Sequence, residues 1–169
     1  MFRHPFSPRL HAAGAGLLIV TLAACDGTPT DPIERDLDAL RRATESFRSF
    51  DAAQEANYTM LFADMCMDHA TDGGMGYHYV NTTLLDTAVA VTEPEALIYE
   101  AGQNGELELV AVEYVVPFAV HGEDEPAPVL FGENFRQNHT YGLWTLHAWV
   151  WKDNPSGVFA DFNPNVSCP

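Results

Sequence analysis

ELELVAVEYVV, residues 106–116, is the stretch that decides the fold. It is rich in β-branched and aromatic residues and has turn residues at both ends, which predicts a long strand. Alternation assigns Glu106, Glu108, Val110, Val112 and Tyr114 to one face, and Leu107, Leu109, Ala111, Glu113 and Val115 to the other. Just upstream, GQNG (102–105) is a strong turn and ALIYE (96–100) a short strand, so the two segments predict a hairpin. Downstream, GEDEPAP (122–128) reads as a solvated acidic loop; it lacks the ligand spacing of a calcium loop. A short apolar segment follows at 129–135, and then TYGLWTLHAWVWK (140–152), a long aromatic strand. Leu143, Thr145, His147, Trp149 and Trp151 share one of its faces. Trp144, Leu146, Ala148 and Val150 share the other, so both faces are expected to be covered. The tail, 153–169, carries two Asn-Pro turns and needs a tether to be ordered.

Upstream of the hairpin lies CMDHATDGGMGYHYVN, residues 66–81. Thr71-Asp72-Gly73-Gly74 reads as a turn and residues 75–82 as a strand. Earlier still, Asp31, Pro32 and Glu34 are arranged as a cap, a first helical residue and a capping-box acid. Ile33, Leu37, Leu40, Thr44 and Phe47 then recur at helical spacing, with Asp38–Arg42 as an (i, i+4) pair on the polar face. A second helix is expected over 52–58, capped by Asp51. Met60, Leu61, Phe62, Met65 and Met67 read as core filling rather than thioether ligands for copper. Residues 84–91 fit a short helix or an irregular connection equally well. Helices first and strands after predict an α+β fold: N-terminal helices packed on a mostly antiparallel sheet of about four strands, in one domain spanning 31–169.

The N-terminus has an export pattern: Arg3 and Arg9, no acidic residue before Asp26, and a short apolar run. It ends in Leu22-Ala23-Ala24-Cys25, which resembles the lipobox of bacterial lipoproteins. The resemblance implies that residues 1–24 are a signal peptide, that Cys25 carries the lipid, and that 25–30 tether the domain to the cell envelope, with the choice of membrane left open. The lipid on Cys25 is then the membrane contact. With Cys25 acylated, Cys66 and Cys168 remain as a pair in an oxidising compartment, where a disulfide is expected; free thiols and thiolate metal ligands are the alternatives. The segments GGMGYHYVN (73–81), PEALIYE (94–100), LVAVEYVVP (109–117) and LHAWVWKDNPSGVFADFNPNVSC (146–168) also resemble an uncharacterised family of bacterial exported proteins. That likeness implies one exported domain and assigns no activity.

The whole chain has a formal net charge of −16, from 8 Lys and Arg against 24 Asp and Glu. Such a surface argues against nucleic acid and anionic lipid as partners. No Gly-x-Ser-x-Gly, phosphate-loop or dinucleotide glycine pattern is present. The residues that stand out are His78, Glu113 and His147, one ionisable group near the middle of each of three expected strands. Burying such groups without partners is costly. On neighbouring strands with matching faces they would converge on a divalent metal such as zinc, iron or copper, or act as acid and base without one. His69, in the preceding turn, is a possible fourth ligand. A structural polar cluster is the plainer alternative, and the tryptophans and tyrosines are read as core filling before pocket lining. The functional expectation is a lipid-anchored ligand- or metal-binding module. The alternatives are an enzyme using the same three residues and a structural or interaction protein.

Overall fold

Helix α1 (Pro32–Thr44) starts where the cap residues place it: Asp31 accepts the Ile33 amide at 2.9 Å. The computed structural model describes Met1 and residues 31–169, so the expected signal segment, the tether and Cys25 lie outside the described residues. Leu37, Leu40 and Thr44 are buried on the apolar stripe, whereas Ile33 is exposed. Asp38 pairs with Arg41 at 2.7 Å instead of the expected Arg42. Arg41 is drawn inward because its Nε also donates to the Val150 carbonyl. After a 3-10 turn, Glu45–Arg48, comes helix α2 (Phe50–Glu55). Its cap is Ser49, two residues ahead of the expected Asp51, and it stops short of residue 58, where Asn57 takes a left-handed conformation (φ 69°).

Nine strands follow: β1 (Met60–Leu61), β2 (Met67–His69), β3 (Gly73–Val80), β4 (Ala96–Ala101), β5 (Leu107–Pro117), β6 (Val129–Leu130), β7 (Glu133–Asn134), β8 (Arg136–Asn138) and β9 (Leu143–Ala148). The fold is α+β and every strand pairing is antiparallel. The sheet has seven strands, more than the expected four, in the order β1-β3-β4-β5-β9-β8 with β2 also paired to β3. β3, β4, β5 and β9 are the four expected strands. The added ones span two or three residues each, too short to show alternation. β9 is also shorter than 140–152, because at Trp149 the chain leaves the ladder and its amide donates to the Val158 carbonyl at 2.8 Å. Residues 84–91 form no helix beyond a 3-10 turn at Thr82–Leu84.

The helices cover one face of the sheet. Leu37, Leu40 and Ala53 pack with Leu97, Tyr99, Val112, Tyr114, Val116 and Leu146 in one core. The polar ends of the buried tyrosines are satisfied: Tyr99 donates to the Phe47 carbonyl and Tyr114 to that of Val91, each at 2.7 Å. A bulge corrects the alternation in β5. Ile98 faces Ala111 but the next residue, Tyr99, faces Leu109, so Val110 is the extra residue. Leu109 therefore joins Val112 and Tyr114 on the helix side, opposite to its expected face.

The C-terminal tail helps to cover the second face. Trp149 and Val166 pack there on Ile98, Val110 and Ala111. Gly74 exchanges hydrogen bonds with Asn163 (3.1 and 2.9 Å) and donates to the Val166 carbonyl. Gly73 permits this approach: with φ at +94°, a Cβ on it would stand 2.3 Å from the Asn163 oxygen. Cys66 and Cys168 are joined in a disulfide, as expected, with Cα atoms 5.6 Å apart. The glycine-rich turn and the chain end are thus held together covalently, and the tail carries Asp161 to the second face.

Candidate metal centre

His78 on β3, Glu113 on β5 and His147 on β9 share the second face of the sheet and converge. Glu113 and His147 are direct cross-strand partners. β3 is separated from β5 by β4, so the three strands are not consecutive neighbours as the sequence reading required. On β4 between them, Ala96 stands opposite both Val80 and Glu113, and Ile98 stands opposite His78, so the His78–Glu113 contact runs diagonally across β4.

The donor atoms lie close together, one from each residue falling within 4.8 Å of the others. His78 Nε2 and His147 Nε2 are 3.5 Å apart. Each faces one oxygen of Glu113 at 3.6 Å, His78 towards Oε2 and His147 towards Oε1. Donors about 2.1 Å from a tetrahedral ion stand about 3.4 Å from each other, and adjacent donors of an octahedral ion about 3.0 Å. The His78–His147 spacing of 3.5 Å is close to the tetrahedral value, while the two 3.6 Å contacts use different oxygens of Glu113. Both histidines are 2% exposed, and the Glu113 side chain 13%.

The electrostatics of this arrangement keep the donors uncharged in the absence of a cation. Burial pushes His78 down to about 3, helped by the neighbouring His147, while the nearby Gly76 carbonyl offsets this in part. Burial, and then the Arg136 guanidinium, push His147 down to about 3. Burial pushes Glu113 up to about 8, with the charges of Asp161 and Glu95 adding to it. Two imidazole lone pairs and a carboxyl therefore point at one spot, and the contacts of 3.5–3.6 Å are long for hydrogen bonds.

The outer nitrogens are equally informative. The Nδ1 atoms of both histidines are buried without a hydrogen-bond partner. With Nε2 turned to the centre, Nδ1 carries the proton and needs an acceptor. His147 Nδ1 lies 3.8 Å from Asp161 Oδ1, beyond hydrogen-bond reach but the nearest charged acceptor to it among the described residues. Asp161 is itself held by Arg136, which also donates to the Phe159 carbonyl. A carboxylate behind a ligand imidazole is a common outer partner of metal-bound histidine. Neither Asp161 nor Arg136 stood out in the sequence. A signal for Arg136 was present: it is the one basic residue between Arg48 and Lys152.

A cavity of about 350 Å³ opens over the centre. Met60, Phe62, Met67, Met75, Leu85 and Leu143 supply much of its apolar wall, and Arg136 and Thr140 are among its polar residues. Tyr99, Tyr114 and Trp144 are core residues, as expected, while Met60 and Met65 are exposed instead of filling the core. His69 does not join the cluster; it is exposed and faces Asp72 at 3.0 Å. In comparisons with known proteins the chain matches no family model, no curated protein and no solved structure.

Proposed function

We propose that the protein is a metal-binding module of the bacterial cell envelope that holds one divalent ion on His78, Glu113 and His147. The observation that carries this reading is the convergence of two buried imidazoles and a carboxylate at the floor of a cavity. Two imidazoles and one carboxylate are a donor set that zinc takes in four-coordinate sites, and the same set also suits non-haem iron. Three protein ligands leave the fourth position facing the cavity. Such an open position is the usual arrangement of catalytic zinc, which supports hydrolysis by metal-bound water as a second reading. The lipobox at Cys25 and the export pattern before it support a lipid-anchored location; replacing Cys25 by Ala is expected to release the protein from the membrane fraction.

The test is elemental analysis of protein purified without chelator, followed by the same analysis on His78→Ala and His147→Ala. One ion per chain in the parent, and its loss in both variants, is expected. Metal-free protein whose melting temperature does not move on adding zinc, iron or copper would overturn the reading.

A further inference from the structure

Building on the metal reading above, we propose that the cavity binds a small organic monoanion, its carboxylate shared between the ion and Arg136 and its apolar body lying against the methionine-lined wall. Charge selects the head group. A dication and one guanidinium, set against the carboxylates of Glu113 and Asp161, leave a single net positive charge when both imidazoles are neutral. One carboxylate balances that charge; an amine would add to it, and an alcohol would leave it uncompensated in a partly apolar cavity.

Geometry allows the sharing. Arg136 on β8 stands opposite Thr145 on β9, two residues before His147 on the same face. Its Nη1 is occupied by Asp161 and the Phe159 carbonyl, and among the described residues its other nitrogens take no partner. Those nitrogens are the fork that a second carboxylate would meet. The three donor residues and the guanidinium border the same cavity.

Lining and volume select the body. Met60, Met67, Met75 and Leu143 offer flexible apolar surface with no fixed hydrogen-bond pattern, which suits an aliphatic chain better than a polyhydroxylated ligand. A volume of about 350 Å³ lies at the small end of the roughly 300–1,000 Å³ typical of ligand sites. The implied class is therefore short-chain or medium-chain aliphatic carboxylates.

The experiment is calorimetric titration of the zinc-loaded protein with hexanoate, hexan-1-ol and hexylamine, after a titration with zinc alone. Hexanoate is expected to bind once per chain, at least tenfold tighter than hexanol, with no binding of hexylamine. Removing zinc should weaken hexanoate at least tenfold. Arg136→Gln should erase the difference between acid and alcohol, and Leu143→Trp, which fills the cavity, should weaken both. Zinc binding with hexanol as tight as hexanoate would overturn the ligand assignment and leave the metal centre standing. So would hexanoate affinity that is unchanged in Arg136→Gln. Failure to take up zinc would bring down both proposals. The acid–alcohol comparison needs no variant, so it decides the matter even if Arg136→Gln does not fold.

Discussion

Replacing Glu113 by Gln should stabilise the metal-free protein while destroying its affinity for zinc. The amide keeps the shape of the protonated acid but cannot ionise. In the folded chain Glu113 is pushed up by burial to about 8 from its ordinary value of 4.5. Between those limits the folded state holds a proton that the unfolded state has released, so the stability of the parent falls as pH rises through this window. Each pH unit is worth about 1.4 kcal/mol for one group. At pH 7 the parent has crossed 2.5 units of the window, which amounts to about 3 kcal/mol. Glu113→Gln avoids that loss. Urea denaturation in the presence of a chelator is expected to show nearly equal stabilities at pH 4.5, a gap of about 3 kcal/mol in favour of the variant at pH 7, and about 4–5 kcal/mol at pH 8. Zinc should reverse the order at pH 7 once it reaches about one thousand times Kd, where it stabilises the parent by about 4.1 kcal/mol. A variant less stable than the parent at pH 7, with a gap that does not change with pH, would refute the reasoning. It would mean that Glu113 is ionised and satisfied in the folded protein without metal.

The other expectations concern the supports of the site. His78 and His147 are both held neutral to about pH 3, so the unfolded chain takes up two more protons below pH 6.5. Glu113 and Glu95, the latter pushed up to about 7 by burial, hold two protons that the unfolded chain releases above pH 4.5 and so offset this uptake. The stability of the metal-free parent should therefore stay nearly level from pH 4.5 to 6.5 and fall on both sides, at about 1.4 kcal/mol per unit from pH 7 to 8; a profile flat from pH 3 to 8 by chemical denaturation would count against the buried, neutral cluster. Asp161→Ala removes the acceptor 3.8 Å from His147 Nδ1 and should weaken zinc binding about tenfold in a competition assay with a chelating dye. Breaking the disulfide with the double substitution Cys66→Ser and Cys168→Ser opens a covalent loop with a sequence separation of 102, and should cost about 2–5 kcal/mol in urea denaturation. Gly73→Ala places a methyl group 2.3 Å from the Asn163 oxygen at a strained φ; a loss of about 2 kcal/mol or more is expected, read as a drop in melting temperature.

Much of this arrangement can be read from local sequence. The start of α1 is legible because Asp31 and Pro32 act within one turn. The four long strands are legible because alternation and turn residues mark them. The face of Leu109 is not, since the bulge at Val110 arises from pairing with β4 and leaves no pattern within β5 itself. The short strands β1, β2 and β8 exist only because a longer neighbour offers a ladder edge. His78, Glu113 and His147 stand out as ionisable groups near strand centres, but that they meet depends on strand order and register across β4, which no local pattern states. Asp161 has no legible role, because an aperiodic tail carries it. Its position is set by the disulfide and by the Gly74–Asn163 bridge, both of which act across the chain.

The X-ray absorption spectrum of the zinc-loaded protein at the zinc edge tests the central claim most directly. The account predicts a four-coordinate shell of nitrogen and oxygen at about 2.0–2.1 Å, with outer scattering from two imidazole rings. A six-coordinate shell of oxygen without imidazole scattering would contradict it, because the ion would then be bound to the acidic surface and not to the histidine pair beneath the cavity.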